Sequence, residues 1–374
     1  MSAAGRKPEE ITSPVNTLID VERIMPSFGW AFWYNEMSLY LDNGYINMSY
    51  VLDKGCPFNF VINGRGTGKT YGALKLCTVD RPERFLYMRR TQVQLELISS
   101  EAMSPLKPVA YDCGIDLTYR NISKYSKGIY KADQDGAPIG YMAALSTFSN
   151  LRGFDMSDVS LWIMDEFIPE RHERPLKNEG AAFLNAYETI NRNRELQGHP
   201  PLKVLLLGNS NTLVSPILLE LGLVDVVSSM RENDIDEYVD TQRGVAVFVP
   251  HDSPISQKKA ETALYRVASD KYKNMALENT FKGDDFCRTG KRPLNEYKPF
   301  VKIGIICIYK HKSKTEFYAT TQKAGKFILE YGDSAEEISR AMKKCGESLF
   351  QAYMLKNIVF SAHSIEILFK SFII

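Results

Sequence analysis

The chain has 374 residues, 44% hydrophobic and 24% charged, with a formal net charge of +1. This balance excludes a disordered, collagen-like or low-complexity chain and allows two or three domains. Six cysteines without a CxxC pair argue against a disulfide framework or a zinc site. No apolar stretch is long enough to cross a membrane, and residues 1–14 lack the apolar core of a secretory signal, so we expect a reducing, cytoplasmic location.

The first part of the chain alternates apolar runs of strand length with helical patterns. After a tail and an aromatic segment within residues 1–50, strands are predicted at residues 58–62, 84–88, 159–164 and 202–207, and helices at 70–79, 92–103 and 180–196. Residues 126–145 are typical of an inserted β-hairpin with its turn at Asp135-Gly136. Apolar strands that alternate with helices predict an α/β domain over residues 1–230, with a mostly parallel sheet covered on both faces.

The pattern changes after residue 230. The charged segment 231–243 is expected to be a linker, and residues 244–374 to form a smaller α+β domain. Its predicted elements are a strand at 244–250, paired strands within 299–321, and helices at 256–272 and 335–346. Residues 241–374 carry a net charge of +8, against −7 for the rest, which fits either a surface facing a polyanion or a solvated lysine-rich surface.

The segment NGRGTGKT, residues 63–70, follows a predicted strand and opens a predicted helix, which is the setting of a phosphate-binding loop. Its glycines let backbone N–H groups turn towards phosphate oxygens, and the helix N-terminus adds positive potential. Lys69 would contact the β- and γ-phosphates of ATP, and Thr70 would give a hydroxyl to Mg²⁺. Asn63 replaces the first glycine of the motif, and asparagine tolerates a left-handed backbone. The candidate nucleotide ligands in this loop are Asn63, Gly64, Arg65, Gly66, Thr67, Gly68, Lys69 and Thr70.

The segment LWIMDEF, residues 161–167, places two carboxylates at the end of a predicted buried strand. This is the Walker B pattern, in which Asp165 would bind Mg²⁺ and Glu166 would polarise the attacking water as a general base. The aspartate alone suits a kinase or a nucleotide switch, whereas the adjacent glutamate favours hydrolysis. Two acids at a strand end also fit a plain transition into a loop, but the phosphate loop upstream favours the catalytic interpretation.

Three further sets of residues are less specific. NRNRE, residues 191–195, carries Arg192 and Arg194 on different sides of a predicted helix, where one can reach a neighbouring subunit's γ-phosphate or form surface salt bridges. In LLLGNSN, residues 205–211, Asn209 is a candidate γ-phosphate contact, although a plain turn has the same composition. Candidate contacts to DNA phosphates, with solvated loop residues as the alternative, are Lys124, Lys127, Lys131 and Arg152.

These motifs in this order resemble the genome-packaging ATPases of tailed bacteriophages. The likeness rests on Arg65 in the phosphate loop, on YMRR at 87–90 and on LRGFDMSDVSLWIMDEF at 151–167. NRNRE before LLLGNSNTLVSP, and ENTFKGD at 278–284, are most similar to the small packaging ATPases of podophages with protein-primed genomes. The resemblance is specific over 58–220 and suggestive over 240–320.

The resemblance implies an ASCE-type ATPase, which means a P-loop fold with an additional strand and a catalytic glutamate. It implies a homo-oligomeric ring, with five as the expected number of subunits, that moves double-stranded DNA through a portal into a prohead. The expected location is the host cytoplasm, with transient attachment to the prohead and without membrane contact. The resemblance implies the same roles for the phosphate loop and the acidic pair as those given above. It makes Arg192 the first candidate and Arg194 the second for an arginine finger that acts in trans. It implies that Arg65 acts in cis.

In larger terminases of this kind, the C-terminal domain is an RNase H-like nuclease that needs several carboxylates around two metal ions. The matching strands here, VKIGIICIYK and TEFYATT, offer no aspartate on the first strand, and the adjacent Asp284 and Asp285 are not spaced as a metal cluster. We therefore expect a vestigial nuclease-like fold without nuclease activity, whose positive charge contacts DNA, a structural RNA or the portal.

Two other functions fit the same core. A helicase or recombination ATPase shares the phosphate loop but separates the strands of a forked duplex. A nucleotide-dependent scaffold or switch binds ATP without turnover.

Overall fold

The computed structural model describes residues 38–132, 136–151, 153–170, 173, 176–210, 215–251, 253–269, 273 and 289–373. Within these residues the larger of two sheets has nine strands. In chain order they are β1 Phe58–Asn63, β2 Phe85–Arg89, β3 Leu117–Ser123, β4 Ser126–Lys131, β5 Gly140–Ala144, β6 Leu161–Asp165, β7 Lys203–Asn209, β8 Glu237–Asp240 and β9 Val245–Phe248. Across the sheet the order is β3-β4-β5-β2-β6-β7-β1-β9-β8, parallel from β5 to β9 and antiparallel at both edges.

One strand separates the strand before the phosphate loop from the Walker B strand. β7 pairs in parallel with β1, where Asn63 lies opposite Asn209, and with β6, where Asp165 lies opposite Leu207. This is the additional strand of the ASCE fold, so the predicted fold class is confirmed. Because the carboxyl ends of parallel strands lie at one edge of a sheet, the ends of β1, β2, β6 and β7 come together there.

Helices cover both faces of the larger sheet. They are α1 Met48–Leu52, α2 Lys69–Lys75, α3 Gln92–Ile98, α4 Lys107–Cys113, α5 Glu179–Asn191, α6 Pro216–Glu220, α7 Val224–Glu232, α8 Pro254–Ala260 and α9 Ala263–Val267. Alternate residues of each strand enter different cores, as Phe60 packs under α5 to α7 and Val61 packs under α1 to α4. The continuous apolar strands read from the sequence therefore follow from burial on both sides.

The packing of α5 onto the sheet depends on one large aromatic pair. Trp162 of β6 is fully buried, and its ring stacks on that of Phe183 of α5 with centroids 4.9 Å apart. Truncating an aromatic side chain in such a position costs about 3–5 kcal/mol. This contact holds α5 along β6, whose last residue is Asp165.

Several helix boundaries differ from the predictions for physical reasons. The predicted helix 70–79 begins one residue earlier, at Lys69, and continues beyond Lys75 as a π-helical turn, Leu76–Asp80. The helix predicted at 92–103 ends at Ile98 and is followed by a separate 3₁₀ turn. The helix predicted at 180–196 ends at Asn191, because Arg192 adopts a left-handed φ of 48° that α-helical geometry does not allow.

The hairpin predicted within 126–145 is present, because β4 and β5 pair in antiparallel fashion. The predicted turn lies partly outside the described residues, since 133–135 are not among them. The hairpin is not an insertion, however, because β5 also pairs in parallel with β2 and so belongs to the central sheet. The sequence did not predict β3, whose residues are mostly exposed or half-buried and lack a continuous apolar run.

The linker predicted at 231–243 is wrong, as is the placement of the strand at 244–250 in the C-terminal domain. β9 pairs in parallel with β1, and β8 pairs with β9 at the sheet edge. The larger sheet therefore ends at Phe248 rather than near residue 230. The predicted helix 256–272 is divided into α8 and α9, and residues 270–272 lie outside the described part of the chain.

A second sheet organises the described C-terminal residues. Its strands are β10 Tyr297–Ile303, β11 Ile306–His311, β12 Phe317–Thr320, β13 Glu330–Tyr331 and β14 Ile358–Phe360, and its helices are α10 Ala335–Met354 and α11 His363–Ile373. The paired strands predicted within 299–321 are present, but VKIGIICIYK is divided between β10 and β11 by a turn at Gly304, so the antiparallel meander β10-β11-β12 has three strands. β13 and β14 add to its two edges in parallel. α10 extends beyond the predicted end at 346, because Leu349 and Ala352 continue its buried face.

The last helix joins the two sheets. Ser364 Oγ of α11 donates to Asp225 Oδ2 of α7 at 2.7 Å, and Ile367 enters the core beneath the larger sheet. Among the described helices, none is both long and apolar enough to span a membrane.

Candidate active site

The phosphate loop lies between β1 and α2 at the carboxyl edge of the larger sheet. Asn63 ends β1 in regular parallel pairing, and its Oδ1 accepts a hydrogen bond from the Gly64 N–H at 2.6 Å. The left-handed positions are Gly66 and Gly68, with φ of 68° and 81°. The expectation that Asn63 must tolerate a left-handed backbone is therefore wrong, and asparagine fits this position as an ordinary strand residue.

The two left-handed glycines are also closely covered. A Cβ on Gly68 would lie 2.7 Å from Cδ1 of the Tyr45 ring, and one on Gly66 would collide with the Lys259 ammonium. Any side chain at these two positions would therefore displace both the loop and its neighbours. The backbone curl that phosphate binding requires depends on these glycines rather than on the first position of the motif.

Lys69 is buried at the centre of the loop. Its Nζ donates to the carbonyl oxygens of Asn63 at 3.0 Å and Gly64 at 2.7 Å. Burial lowers the pKa of Lys69 to about 7, and the nearby Asp165 opposes this shift. A phosphate group in the cavity would supply the negative charge that favours the protonated ammonium. The residue therefore has the burial and position that triphosphate binding requires.

Thr70 and Asp165 meet between the start of α2 and the end of β6. Thr70 Oγ1 lies 3.1 Å from both carboxylate oxygens of Asp165, and the Tyr87 hydroxyl donates to Asp165 Oδ2 at 2.6 Å. Burial, followed by the charge of Asp165, raises the pKa of Tyr87 well above its usual value, which keeps the hydroxyl protonated as a donor. A hydroxyl and a carboxylate side by side are the hard oxygen ligands that Mg²⁺ prefers, so these residues fit that ion.

Glu166 occupies an unusual backbone conformation. Its φ is 56°, in the left-handed region, at a cost of about 1–2 kcal/mol for a residue with a side chain. The Glu166 N–H donates to Asp165 Oδ1 at 3.1 Å, and its carboxylate forms an ion pair with Arg89. Burial raises the pKa of Glu166, and the Arg89 charge opposes the rise. Raised pKa and strained backbone are features that cluster at catalytic sites.

Arg89 was not among the predicted site residues. It ends β2, next to β6, and only 13% of its side chain is exposed. Its guanidinium lies 3.2 Å from Asp165 Oδ2 and donates to the Tyr87 hydroxyl at 3.0 Å. The sequence signal was YMRR at the end of a predicted strand, because polar side chains at the carboxyl ends of neighbouring parallel strands share one edge.

Arg65 and Arg90 attach the segment that follows the Walker B strand. Arg65 lines the cavity and forms an ion pair with Glu170. The fully buried Arg90 makes two bonds to Glu179, at 2.6 and 2.8 Å, and one to Glu173 at 2.9 Å. The first turn of α5 and the chain leading to it are thereby held against the end of β2.

A cavity of about 330 Å³ lies above these residues. Its walls include the predicted ligands Arg65, Gly66, Gly68, Lys69, Thr70, Asp165, Glu166 and Asn209. The remaining predicted ligands stabilise the loop without lining the cavity. The carbonyls of Asn63 and Gly64 accept hydrogen bonds from Lys69, and the Thr67 hydroxyl donates to the Gly64 carbonyl at 3.1 Å. The volume is within the range of small-molecule sites, and the arrangement can bind phosphates and activate water.

Arg192 and Arg194 lie near the amino ends of the parallel strands, away from the phosphate loop at their carboxyl ends. Arg192 Nη2 donates to the Phe154 carbonyl at 3.0 Å, and Arg194 Nη1 donates to the Val159 carbonyl at 2.6 Å, both ahead of β6. The 13-residue α5 separates them from Glu166, a length of about 20 Å. Neither arginine can reach the cavity of its own chain, and the exposed Arg192 faces outward.

The predicted DNA-contacting lysines do not form one cluster. Lys124 lies exposed at the β3–β4 turn, near the carboxyl ends of the parallel strands, as does the phosphate loop. Lys131 ends β4 near the amino ends of the parallel strands. Lys127 Nζ donates to the Ser99 carbonyl at 2.7 Å. Arg152 lies outside the described residues, so the proposed contact there has no structural description.

Within the described ranges, no group of three or more His, Cys, Asp or Glu side chains is arranged to hold a metal ion. Asp284, Asp285 and the ENTFKGD segment lie outside those ranges. The expected lack of nuclease activity stays a prediction.

Comparison with known proteins gives a consistent set of similarities. The family model of the podovirus DNA encapsidation protein (Gp16) matches residues 40–304. The DNA packaging protein of Bacillus phage PZA is 27% identical over 240 residues, 63% of this chain and 65% of that protein. That of Bacillus phage phi29 is 27% identical over 232 residues, 60% and 62% of the two chains. The chain thus spans just under two thirds of these relatives.

A solved structure shares the fold over most of the chain. A chain of the bacteriophage phi-29 viral genome packaging motor assembly superposes with a TM-score of 0.62 and 19% identity, over 89% of this chain and 98% of that chain. The likeness therefore extends beyond the larger sheet to the C-terminal part.

Proposed function

Because the chain belongs to the podovirus DNA encapsidation protein (Gp16) family, we propose that it hydrolyses ATP to move double-stranded viral DNA into a prohead. The observation that carries the proposal is the convergence of Lys69, Thr70, Asp165 and Glu166 on one cavity. Loop, hydroxyl, metal-binding carboxylate and base are the parts that ATP hydrolysis needs. The relatives that share the fold and sequence are named DNA packaging proteins.

The phosphate loop binds the triphosphate through its backbone N–H groups and Lys69. The carbonyls that now hold Lys69 Nζ leave its ammonium close to the loop, from which it reaches the β- and γ-phosphates. Thr70 and Asp165 would hold Mg²⁺, which would neutralise charge on these phosphates. Arg65, which lines the same cavity, adds a further cation in cis.

Glu166 is the general base that takes a proton from the attacking water. Burial raises the pKa of Glu166 and the Arg89 charge opposes the rise, which makes this carboxylate a better proton acceptor than an exposed one. Tyr87 and Arg89 keep Asp165 oriented beside Thr70. Asn209, which lines the cavity at the end of β7 opposite Asn63, senses the γ-phosphate.

Arg192 acts on the nucleotide of a neighbouring subunit in a ring, for which five members are proposed. Its position at the far edge of the sheet supports action in trans, since its own cavity is out of reach. Arg194 is the second candidate, although its two bonds to backbone carbonyls suit a role in fixing the end of α5.

The C-terminal domain contacts DNA, a structural RNA or the portal and does not cut DNA. The charge of +8 over residues 241–374 supports a polyanionic partner. Lys124, Lys127, Lys131 and Arg152 are proposed contacts to DNA phosphates in the first domain. The ring works in the host cytoplasm while it is attached to the prohead.

DNA-stimulated ATPase activity of the purified chain, with and without proheads, tests the proposal. We expect stimulation by double-stranded DNA and further stimulation by proheads, with turnover reduced by about 10²–10⁴-fold in Glu166→Gln. Unwinding of a forked duplex would favour a helicase instead, and tight ATP binding without turnover would favour a switch.

A further inference from the structure

We propose that Lys259 of α8 binds a phosphate oxygen of the nucleotide, in cis, as a second lysine beside Lys69. The inference rests on the proposed function, since it assumes that the phosphate loop binds a nucleoside triphosphate. It adds a residue that lies 194 positions after the phosphate loop, outside every motif of the sequence.

The geometry places the Lys259 ammonium on the phosphate loop. Lys259 Nζ donates to the Arg65 carbonyl, and a Cβ on Gly66 would collide with the same Nζ and lie 2.9 Å from Cε. Both loop residues line the cavity. The side chain of Lys259 therefore ends at the rim of the cavity, against the part of the loop where phosphate is expected.

The charges around this ammonium favour an anion. Lys259 is close enough to help lower the pKa of Lys69, and Arg65 contributes in the same direction, so three cations surround one side of the cavity. Over the described residues, no carboxylate lies within ion-pair distance of Lys259, and burial lowers its pKa. Like charges held this close repel one another, and a bound polyphosphate would convert the repulsion into attraction.

The contact between Lys259 and the phosphate loop also fixes the position of α8. Pro254 and Ile255 pack closely on Gly44, where a Cβ would lie 3.1 Å from either residue, so the start of the helix is fixed. Its last turn carries Lys259 to the loop, and the chain then continues towards the C-terminal domain. A phosphate bound by Lys259 would add to the attachment that its bond to the Arg65 carbonyl already gives α8, and release of the phosphate would weaken that attachment.

The test is binding of ATPγS with Mg²⁺ to the full chain, measured by isothermal titration calorimetry. We expect Lys259→Met to weaken binding by about tenfold or more, since a charge-assisted hydrogen bond is lost, and Lys259→Arg to keep most of the affinity. Lys258→Met is the matched control, because this exposed lysine is the preceding residue of the same helix and should change affinity by less than about twofold. Equal affinity of Lys259→Met and Lys258→Met overturns the inference.

Hydrogen exchange of residues 253–260 supplies a second readout in the same proteins. ATPγS should slow exchange there in the wild-type chain and in Lys258→Met, but not in Lys259→Met. If Lys259→Met does not fold, the wild-type measurement decides, and unchanged exchange on ATPγS binding overturns the inference. A wild-type chain that fails to bind ATPγS overturns the proposed function as well, whereas wild-type binding without a Lys259 effect overturns this inference alone.

Discussion

Arg89, which ends β2, forms an ion pair with Glu166, which follows β6 and lines the cavity beside the phosphate loop. Burial raises the pKa of Glu166, and this guanidinium is the largest influence that lowers it. The proposed base is thus held between two opposing effects, one from desolvation and one from a single cation. Changing that cation should change the acidity of the base.

Arg89→Met should move the acid limb of the pH–rate profile to higher pH. Without the guanidinium, burial and the Asp165 charge raise the pKa of Glu166 further, and the base is protonated at a higher pH. The measurement is kcat/KM for ATP hydrolysis against pH. Arg81→Met is the control, since Arg81 pairs with exposed Asp53 far from the cavity. An acid limb that stays in place or moves to lower pH would contradict the assignment of Glu166 as base.

Glu166→Gln should reduce turnover by about 10²–10⁴-fold while ATP stays bound, because only the proton acceptor is removed. Steady-state phosphate release gives the rate, and calorimetric binding of ATPγS gives the affinity. Glu188→Gln on the exposed side of α5 serves as the control and should behave as wild type. Unchanged hydrolysis in Glu166→Gln would refute the role.

Arg192→Ala should lose about 10³-fold or more in turnover within assembled rings and keep its nucleotide affinity. A mixture of Arg192→Ala and Glu166→Gln subunits distinguishes action in trans from action in cis. Each variant alone is expected to be inactive, but in mixed rings an intact base can meet an intact arginine from the neighbour. Recovery of hydrolysis on mixing is therefore the expected result, and absence of recovery would favour another role for Arg192.

Thr70→Ala and Asp165→Asn should each raise the Mg²⁺ concentration needed for half-maximal hydrolysis. The two side chains lie 3.1 Å apart and are the oxygen ligands offered to the ion. Titration of Mg²⁺ at saturating ATP measures the effect, and excess EDTA should abolish turnover in every variant. The control is Thr189→Ala on α5, where the Thr189 hydroxyl donates to the Asn185 carbonyl. An unchanged Mg²⁺ requirement in both variants would remove them from the metal site.

Glu179→Gln should lower the free energy of unfolding by about 3–5 kcal/mol, because it leaves the fully buried Arg90 without its closest counter-charge. Urea unfolding of the full chain measures this. Asp53→Asn breaks the exposed pair with Arg81 and should cost less than about 1 kcal/mol. If the two variants lose equal stability, the buried pair does not hold α5 as described. The double variant Arg90→Met with Glu179→Leu should recover part of the loss.

The fold and the centre of the site could be predicted where the residues that form a motif are consecutive in the sequence. The phosphate loop needs consecutive residues, and the acidic pair Asp165 and Glu166 ends one apolar run, so each motif contains its own structural context. The strands β1, β6 and β7 were predicted for the same reason, because burial on both faces gives an uninterrupted apolar run.

What could not be predicted depends on contacts between distant parts of the chain. The sequence VAVF of β9 does not show whether the strand pairs with β1 or begins a new domain. A strand buried in the larger sheet and one buried in a separate domain would both have this apolar pattern. The bond from Lys259 to Arg65 spans 194 positions, and that from Arg65 to Glu170 spans 105. Side chains of this kind carry no local pattern, since only the fold brings them together.

The helix α5 connects the chain's own cavity to Arg192, the residue proposed to act in trans. Its first residue, Glu179, is bound to Arg90 beside the chain's own nucleotide cavity, and the residue after its last turn is Arg192, which faces outward. A stiff helix moves as a unit, so a displacement at the first end is transmitted to the second. If Arg192 acts in trans within a ring, as proposed, hydrolysis in one subunit would change the rate of hydrolysis in its neighbour. The subunits would then hydrolyse ATP in a fixed order.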